Sequence, residues 1–530
     1  MRWMLRALAV LVVAFAFEIA DGDQGRAVAQ DLTIGLGANV SAIDPHFHNT
    51  SPNNGIAVQI FDRLVHQDEK QRLVPGLATE WRAIDDTTWE FKLRRGVKFH
   101  DGSDFDAQDV LASFRRAPSV PNSPSSFGTY TRPIEKVEAA DPYTVRFTTK
   151  GTYPLLPNDV SAINIISDRH EKASTADFNA GTAAIGTGPF KYVSWVPGDR
   201  LVLARNDSYW GGPAHWRNVT MRLITNDASR VAALLAGDVQ IIEIVPTSDV
   251  KRLAADPNVT LFRTVSNRIL FLNLDQGRDT TPFATDKSGA PLAKNPLKDV
   301  RVRRAISKAI NRQALVERMQ EGQAIPAGGL IPDGFFGSNP ALKPEGFDPD
   351  GARKLLAEAG YPNGFALTLH GPNDRYVNDE KVIQAIAQML SRVGIDAKVE
   401  TMPWSVYTPR ASKPEFSVTL FGWGSATGEA SSPLRALLAT YDREKGMGAS
   451  NRGRYSNPGF DAVLGKALST VADPAREKFL RDAMALAVQD VGVVPLYFQV
   501  NVWGARKGLG YTPRADDQTW AINVRPVGGG

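Results

Sequence analysis

The stretch TWEFKLRRGVKFHDGSDFDAQDV, from Thr88 to Val110, carries a strand signal, a turn signal and a helix start in direct succession. Its first residues, TWEFKL, alternate apolar and polar side chains, which is typical of a half-buried strand. The segment HDGSDF then predicts a turn. Asp106 predicts the N-cap of a helix, and Asp109 three residues later is an acidic variant of the capping box. This order of elements indicates layered α/β structure.

Strand and helix signals alternate along the rest of the chain. Period-two alternation predicts strands at 31–37, 143–149, 201–206 and 219–224, with a late buried strand at 494–503, and apolar spacing predicts a helix in 56–65. Asp299 predicts the N-cap of a long helix over 300–319. Asp348 and Pro349 predict the start of another helix, which Gly360 ends. A helix beginning at Asp379 lies between strands at 366–370 and 395–402, so this region predicts a parallel or mixed sheet.

Bulk composition excludes several classes of function. A length of 530 residues predicts more than one domain or one large two-lobed body. The formal net charge of +4 is small for this length, and the basic residues are not clustered, so no nucleic-acid partner is expected. The chain has no cysteine, which excludes disulfides, thiolate metal sites, cysteine nucleophiles and a lipid-carrying cysteine.

The N-terminal sequence has the pattern of an export signal. Arg2 and Arg6 precede an apolar run at 7–17 that is too short to span a bilayer, and Ala27-Val28-Ala29 has the small residues of a cleavage site. We therefore expect residues 1–29 to be a cleaved signal peptide and the mature chain to begin near Gln30. This predicts a secreted periplasmic protein that is not a lipoprotein.

No catalytic motif is present in the sequence. There is no Walker loop, no GxSxG nucleophile elbow, no dinucleotide-binding glycine pattern and no complete zinc-protease motif. His46 and His48 lie on the same side of an extended segment, but two imidazoles are too few for a tight metal site. The residues thus predict no catalytic residues, no metal site and no cofactor.

Segments spread over most of the chain resemble one family. They are IDPHFHN (43–49), IFDRLV (60–65), LVPGLATEW (73–81), the opening stretch (88–110), GTGPFKYVSW (186–195), NPLKDVRVRRAISKAINR (295–312), LLAEAGYPNGF (355–365) and RYSNPGFD (454–461). In this order they resemble the bacterial extracellular solute-binding proteins of family 5, the peptide/nickel type of ABC-transporter substrate-binding protein. The resemblance implies a two-lobed α/β periplasmic-binding-protein clamp of type II, in the large peptide-binding subclass, with mixed sheets and a two-segment hinge.

The resemblance also implies a domain division. Lobe I is expected to comprise 30–272 and 499–530, with an inserted subdomain at roughly 50–180, and lobe II to comprise 273–498. The two crossing segments are expected near Leu270–Asp275 and Val493–Val500. Both read as buried strands, which suits a hinge that bends at its ends.

The resemblance places the loop GWGSATGE (Gly422–Glu429) at the rim of a solute groove. Peptide-binding members have an acidic residue three positions after the tryptophan, where it pairs with the free amino group of the peptide, and Ala426 stands there in this chain. Glu429 is expected either to replace that acid or to face solvent. The expected solute-contacting residues are Trp423, Tyr407, Arg410, Glu429, Asn273, Phe47, His48, Asn49, Asn451, Arg452 and Tyr455.

The function implied is that of a periplasmic substrate-binding protein of an ABC importer, which is not an enzyme. It would capture a small-molecule or short-peptide solute between its lobes and deliver it to the membrane subunits of the permease, acting as a monomer. An exported sensor or chaperone on the same fold and an exported hydrolase are the alternatives. Peptides, opines, nickel chelates, sugars and glutathione-like molecules all remain open as ligands.

Overall fold

A computed structural model of the protein describes residues 31–527. The expected signal peptide lies outside these residues. Within 31–527, no helix is both long and apolar enough to cross a membrane.

The described residues form strands and helices throughout their length. The strands are β1 (Asp31–Leu36), β2 (Val65–Gln67), β3 (Leu73–Pro75), β4 (Ala78–Ala83), β5 (Thr88–Leu93), β6 (Ile134–Asp141), β7 (Thr144–Thr149), β8 (Phe190–Val196), β9 (Arg200–Arg205), β10 (Asn218–Leu223), β11 (Ile241–Ile242), β12 (Val259–Leu274), β13 (Ala284–Thr285), β14 (Ala324–Pro326), β15 (Phe365–Pro372), β16 (Ile395–Met402), β17 (Val418–Gly424), β18 (Val494–Arg506), β19 (Leu509–Gly510) and β20 (Arg525–Pro526). The helices are α1 (Ser51–Ile60), α2 (Ala107–Arg116), α3 (Gly128–Thr131), α4 (Leu156–Val160), α5 (Thr175–Asn179), α6 (Asp227–Ala236), α7 (Thr247–Ala254), α8 (Val300–Ala309), α9 (Arg312–Ala314), α10 (Pro349–Glu358), α11 (Asp379–Ser391), α12 (Trp404–Ser412), α13 (Ser431–Pro433), α14 (Pro458–Leu468) and α15 (Asp473–Gln489).

One large mixed sheet runs through the molecule. Its strand order is β13-β15-β17-β12-β18-β11-β1-β10-β9-β8, with β16 added beside β15 and β14 beside β18. The two longest strands, β12 and β18, pair with each other in the middle of this sheet. They therefore link the strands contributed by the N-terminal part of the chain to those contributed by its middle.

The hydrophobic cores follow the same division. One core packs around β1, β9 and β10 and receives Trp503 and Ala505 from β18. A second packs around β15, α8 and α11 and receives Leu270 and Leu272 from β12. A separate core between residues 64 and 165 fills the space beneath the four-stranded sheet β4-β5-β7-β6. We propose that this third core marks a smaller subdomain inserted in the first of the two lobes.

A break in the pairing of the two long strands marks the junction of the lobes. The register of β12 against β18 shifts between Val265 and Ile269. In that gap Asn267 N donates to Ala515 O (3.0 Å), so the backbone there pairs outside the sheet. We propose that this bulge is the hinge on β12, a few residues before the expected boundary at 272. On β18 we retain the proposed boundary at 499, because Phe498 and Val500 pack in different cores.

The structure confirms the local signals of the opening stretch. β5 and α2 form as the sequence predicts, and both hydrogen bonds of the capping box between Asp106 and Asp109 are present. The long helix expected over 300–319 is wrong, because α8 ends at Ala309 and Ile310 is extended. The Asn311 side chain accepts from Ala314 N (2.9 Å) and so caps a new helix, a local bond that competes with helix continuation.

Candidate ligand-binding cleft

A cleft of about 710 Å³ separates the two lobes, and a smaller cavity of about 180 Å³ adjoins it. Both are lined by Glu243, Ile244, Arg268, Arg375 and Asp517, so they form one continuous site, which we call the cleft. Its size is in the range of small-molecule pockets, a few hundred to a thousand Å³.

Lobe I contributes the loop that follows β1, and buried ion pairing fixes this loop. Asp44 accepts two bonds from the Arg116 guanidinium (2.8 and 2.7 Å), and both side chains are buried. Beside them, His46 Nε2 lies 2.8 Å from Asn164 O, and burial lowers the pKa of this imidazole to about 4. His48 and Asn49 of this loop line the cleft, whereas half-buried Phe47 does not.

Lobe II contributes a cation over two aromatic rings. The Arg375 guanidinium lies 5.5 Å from the ring centroids of both Tyr376 and Trp404, whose rings pack edge-on at 5.9 Å. Among residues 31–527, no carboxylate lies within ion-pair distance of Arg375. An anion at this place would therefore be stabilised by an unpaired positive charge.

Lobe I contributes a partly exposed carboxylate to the cleft, that of Asp517. Its side chain is 30% exposed, and its Oδ2 lies 3.3 Å from Arg268 Nη2. Its backbone adopts φ +59°, in the left-handed region that residues other than glycine seldom occupy. Burial raises the pKa of Asp517, and Arg268 and Arg375 oppose that rise. This acid from lobe I is therefore within electrostatic reach of both arginines.

The second acid of the cleft, Glu243, is committed to the protein. It is 9% exposed, and its oxygens accept from Gly37 N (3.0 Å) and Thr519 Oγ1 (2.6 Å). Burial raises the pKa of this carboxyl. Apart from this buried carboxyl, the charged side chains that line both parts of the cleft are Arg268, Arg375 and Asp517, which sum to one net positive charge.

The loop GWGSATGE is held by side-chain amides. Gln71 Nε2 and Asn267 Nδ2 donate to Ser425 O (3.1 and 3.0 Å), and Gln67 Nε2 donates to Ala426 O (3.2 Å). Asn158 Nδ2 in the inserted subdomain donates to Thr427 O (2.9 Å). The loop therefore joins lobe II to lobe I through its backbone carbonyls rather than through a charged side chain.

Glu429 is placed in the interior and not at the cleft. It is 1% exposed, and Arg476 Nη1 lies 3.0 and 2.9 Å from its two carboxylate oxygens. Ser431 Oγ also donates to this carboxylate. Arg476 and Ser431, the side chains that bind this carboxylate, both belong to lobe II. Glu429 therefore neither faces solvent nor takes the place of the acid absent at Ala426.

Several other expected contact residues are structural. Tyr407 is fully buried, with its Oη 2.9 Å from Leu420 O, and Asn451 Nδ2 donates to Ala439 O and Tyr455 O (2.9 and 2.7 Å). Tyr455 and Asn273 are each 2% exposed. The side chains of these residues are buried within the protein, so we leave them out of the proposed site.

The remaining expected residues lie near the surface but outside the lining of the cleft. Arg410 pairs with Glu415 (2.8 Å), and the Arg452 guanidinium packs 4.1 Å from the Phe421 ring centroid. Half-buried Trp423 donates from Nε1 to Ser432 Oγ (3.1 Å). These contacts give each of them a partner within lobe II.

Sequence reasoning missed Arg375, Trp404, Arg268 and Asp517. Arg375 follows β15, and ligand sites in α/β sheets collect at the carboxyl ends of strands, so a usable signal existed. Arg268 lies in the bulge of β12, and no local pattern predicts a bulge there. Asp517 meets Arg268 across 249 positions of sequence, a separation that only the fold reveals.

Comparisons with known proteins agree with this architecture. The family model described as bacterial extracellular solute-binding proteins, family 5 Middle, matches residues 72–445. The glutathione-binding protein GsiB of Escherichia coli (strain K12) is 30% identical over 492 residues, which cover 91% of each chain.

The chain belongs to bacterial extracellular solute-binding protein family 5. Its structure is similar to that of HbpA2 from Haemophilus parasuis (TM-score 0.81, 23% identity, covering 94% of this chain and 100% of the other). It is also similar to the periplasmic binding protein DppA from Helicobacter pylori in complex with the peptide STSA (TM-score 0.75, 25% identity, covering 94% and 98%). The expected two-lobed clamp is confirmed, and as a family 5 protein the chain serves an ABC importer by capturing a solute between its lobes.

Within residues 31–527, no group of three or more histidine, aspartate and glutamate side chains is arranged to hold a metal ion. The chemistry of the cleft is therefore that of charged and aromatic side chains. These can bind and orient a polar solute, and Ser41 Oγ and His48 Nδ1, which both line the cleft, lie 2.8 Å apart.

Proposed function

We propose that the protein is a periplasmic binding protein for a small peptide-like anion that carries carboxylates and one ammonium group. The observation that carries this proposal is the unpaired Arg375, which faces Asp517 and Arg268 in the cleft between the lobes. Arginine binds a carboxylate in a two-pronged geometry, and a carboxylate of the protein is the natural partner of an ammonium group.

The charge pattern of glutathione matches this arrangement. At neutral pH glutathione carries two carboxylates and one ammonium, a net charge of −1, opposite to the summed charge of Arg268, Arg375 and Asp517. Ordinary dipeptides carry one carboxylate and no net charge. The relative GsiB is named for glutathione binding, which supports testing this solute first.

In the proposed complex, Asp517 supplies the acid that is absent at Ala426. A solute ammonium at Asp517 would lie against lobe I, and a carboxylate at Arg375 would lie against lobe II. The solute would then bridge the two lobes and favour the closed clamp, because it makes both contacts only when the lobes approach. Trp404 and Tyr376 would contribute apolar surface at small entropic cost.

The wider setting of the protein is also part of the proposal. The chain would be exported to the periplasm, act as a monomer without catalytic activity, and deliver its solute to the membrane subunits of an ABC permease. The cleft offers charged and aromatic side chains that can bind a polar solute, which supports the role of solute capture.

Isothermal titration calorimetry on the mature protein tests the proposal with four probes. Glutathione and S-methylglutathione have the same charges, glutathione diethyl ester lacks both carboxylates, and N-acetylglutathione lacks the ammonium. We expect the first two to bind with similar affinity and the other two each to bind at least tenfold more weakly. Equal binding of the diethyl ester would contradict the role of the arginines.

Variants assign the charges to residues. Arg375→Gln should weaken glutathione binding by roughly 10–100-fold, the loss of about 1.5–3 kcal/mol for hydrogen bonds to a charged group. Arg410→Gln removes a positive charge outside the cleft and should leave the affinity unchanged. Asp517→Asn should weaken glutathione and leave N-acetylglutathione unaffected. If Arg375→Gln and Arg410→Gln bind glutathione as the wild type does, the proposed site is wrong.

A further inference from the structure

A second cavity, of about 590 Å³, lies between the lobes and shares no lining residue with the cleft. We call it the hinge cavity, because the crossing strands contribute Val265 of β12 and Phe498 of β18 to its wall. Lobe I contributes Lys70 and the segment of lobe II between β14 and α10 contributes most of the remaining wall. Nothing in the proposed solute capture uses this cavity.

The floor of the hinge cavity is apolar. Phe498, Ile331, Phe335 and Met484 line it, and each of them is less than a tenth exposed. A ligand in contact with these side chains would remove its own apolar surface from water. Such burial stabilises a complex by roughly 25 cal/mol per Å² of apolar surface, so the floor favours an alkyl chain or an aromatic ring.

The rim of the hinge cavity is positively charged. Lys70 and Lys343 are exposed, and among residues 31–527 neither has a carboxylate within ion-pair distance. Arg72 also lines the cavity but pairs with Asp68 (2.7 Å), and Asp333 is the acid on the rim. Asp68 cancels the charge of Arg72, and Asp333 cancels one of the two lysine charges, so one positive charge remains at the rim. This charge favours a monoanion at the mouth.

We propose that the hinge cavity is a second binding site, specific for an amphipathic monoanion such as a medium-chain carboxylate. The apolar chain lies on the floor formed by Phe498 and Met484, and the carboxylate lies at the rim between Lys70 and Lys343. Because both lobes and both crossing strands form its wall, a bound ligand alters the relative stability of the open and closed clamp, and solute in the cleft reciprocally alters binding in the hinge cavity.

Two neighbouring glycines provide a way to close this cavity. A Cβ added at Gly329 would meet Met484 and Leu342 at 3.7–3.9 Å, an ordinary contact, so a side chain fits there and would extend into the cavity. A Cβ at Gly328 would approach Leu342 O to 2.4 Å and would force the backbone to move. Gly329→Leu is therefore the variant that fills the cavity with the smaller disturbance.

The test measures binding of decanoate to the mature protein, below the critical micelle concentration, by isothermal titration calorimetry. Decylammonium has the same chain and the opposite charge. We expect saturable binding of one decanoate per chain, and binding of decylammonium that is at least fivefold weaker. Absence of saturable decanoate binding, or equal binding of decylammonium, overturns the proposal.

Three variants locate the site. Gly329→Leu should abolish decanoate binding, and Lys343→Glu should weaken it about fivefold, as expected for a partly exposed charge. Lys354→Glu on α10 makes the same change of charge outside the cavity and should have no effect. Circular dichroism checks that Gly329→Leu folds. If this variant does not fold, the comparison of decanoate binding by Lys343→Glu and Lys354→Glu tests the location of the site. Unchanged binding in both cavity variants overturns the proposal.

Discussion

Removal of the Glu429 carboxylate should destabilise lobe II far more than removal of a similar carboxylate at the surface. Glu429 and Arg476 form a two-pronged pair whose side chains are 2% and 6% exposed. Loss of one partner of a buried pair leaves the other charge uncompensated, at a cost of about 3–5 kcal/mol. Arg476 retains Asp473 at 3.3 Å and the ring of Phe336 at 4.3 Å, so we expect Glu429→Ala to fall at the lower end, about 3 kcal/mol.

A matched control is available in the same lobe. Arg410 and Glu415 form a pair of the same type, 2.8 Å apart, with both side chains 39% exposed. An exposed pair contributes about 0–1 kcal/mol, so Glu415→Ala should be nearly neutral. Replacing both buried partners by apolar residues, Glu429→Leu with Arg476→Met, should recover most of the lost stability, because no charge then remains buried.

Urea unfolding followed by tryptophan fluorescence measures these differences, and thermal unfolding provides a second reading. For a unit of 150–250 residues, about 3 kcal/mol corresponds to a fall in Tm of roughly 6–12 °C. The reasoning is refuted if Glu429→Ala and Glu415→Ala lower stability equally. It is also refuted if Glu429→Ala leaves stability unchanged, since Glu429 would then have to be hydrated and not buried.

Three further predictions concern a buried acid, a glycine in a loop and a helix cap. Burial raises the pKa of Asp159 from 3.8 to about 7. The contribution of this carboxyl to stability is therefore present below pH 4 and is lost as the pH rises through 7. Urea unfolding at a series of pH values should show that Asp159→Asn removes this loss of stability. Gly428 has φ +68°, and a Cβ added there would approach Gln71 Cβ to 2.5 Å. Gly102 has φ +91°, but a Cβ added there would meet no atom within 4 Å. Gly428→Ala should therefore lower Tm more than Gly102→Ala, and it should also weaken glutathione binding. Asp106→Ala should cost about 1 kcal/mol in urea unfolding, because α2 loses its N-cap; no change in the midpoint would contradict the cap assignment.

Local sequence signals were sufficient for most of the elements. The alternation in β5 and β7, the capping box of α2 and the start of α10 at Pro349 all depend on neighbouring residues, and the structure has each of them. The break at Ile310 was missed because the apolar spacing continues across it. What ends α8 is the Asn311 cap, a preference that hydrophobic periodicity does not detect.

Side-chain direction limited what could be predicted of the site. The resemblance placed the loop at Gly422–Glu429 at the rim of the solute groove, but it could not show that Glu429 turns inward to Arg476. The partner of Glu429 lies 47 residues further along the chain, on α15. Asp517 and Arg375, which the structure places in the cleft, come from opposite lobes, and no spacing in the sequence relates them.

The most direct test of solute capture between the lobes is a crystal structure of the protein with the tightest-binding member of the glutathione panel. The account predicts one solute molecule in the cleft, with a carboxylate within hydrogen-bond distance of the Arg375 guanidinium and the ammonium at Asp517. A solute that touches neither residue, or one found only in the hinge cavity, would contradict it.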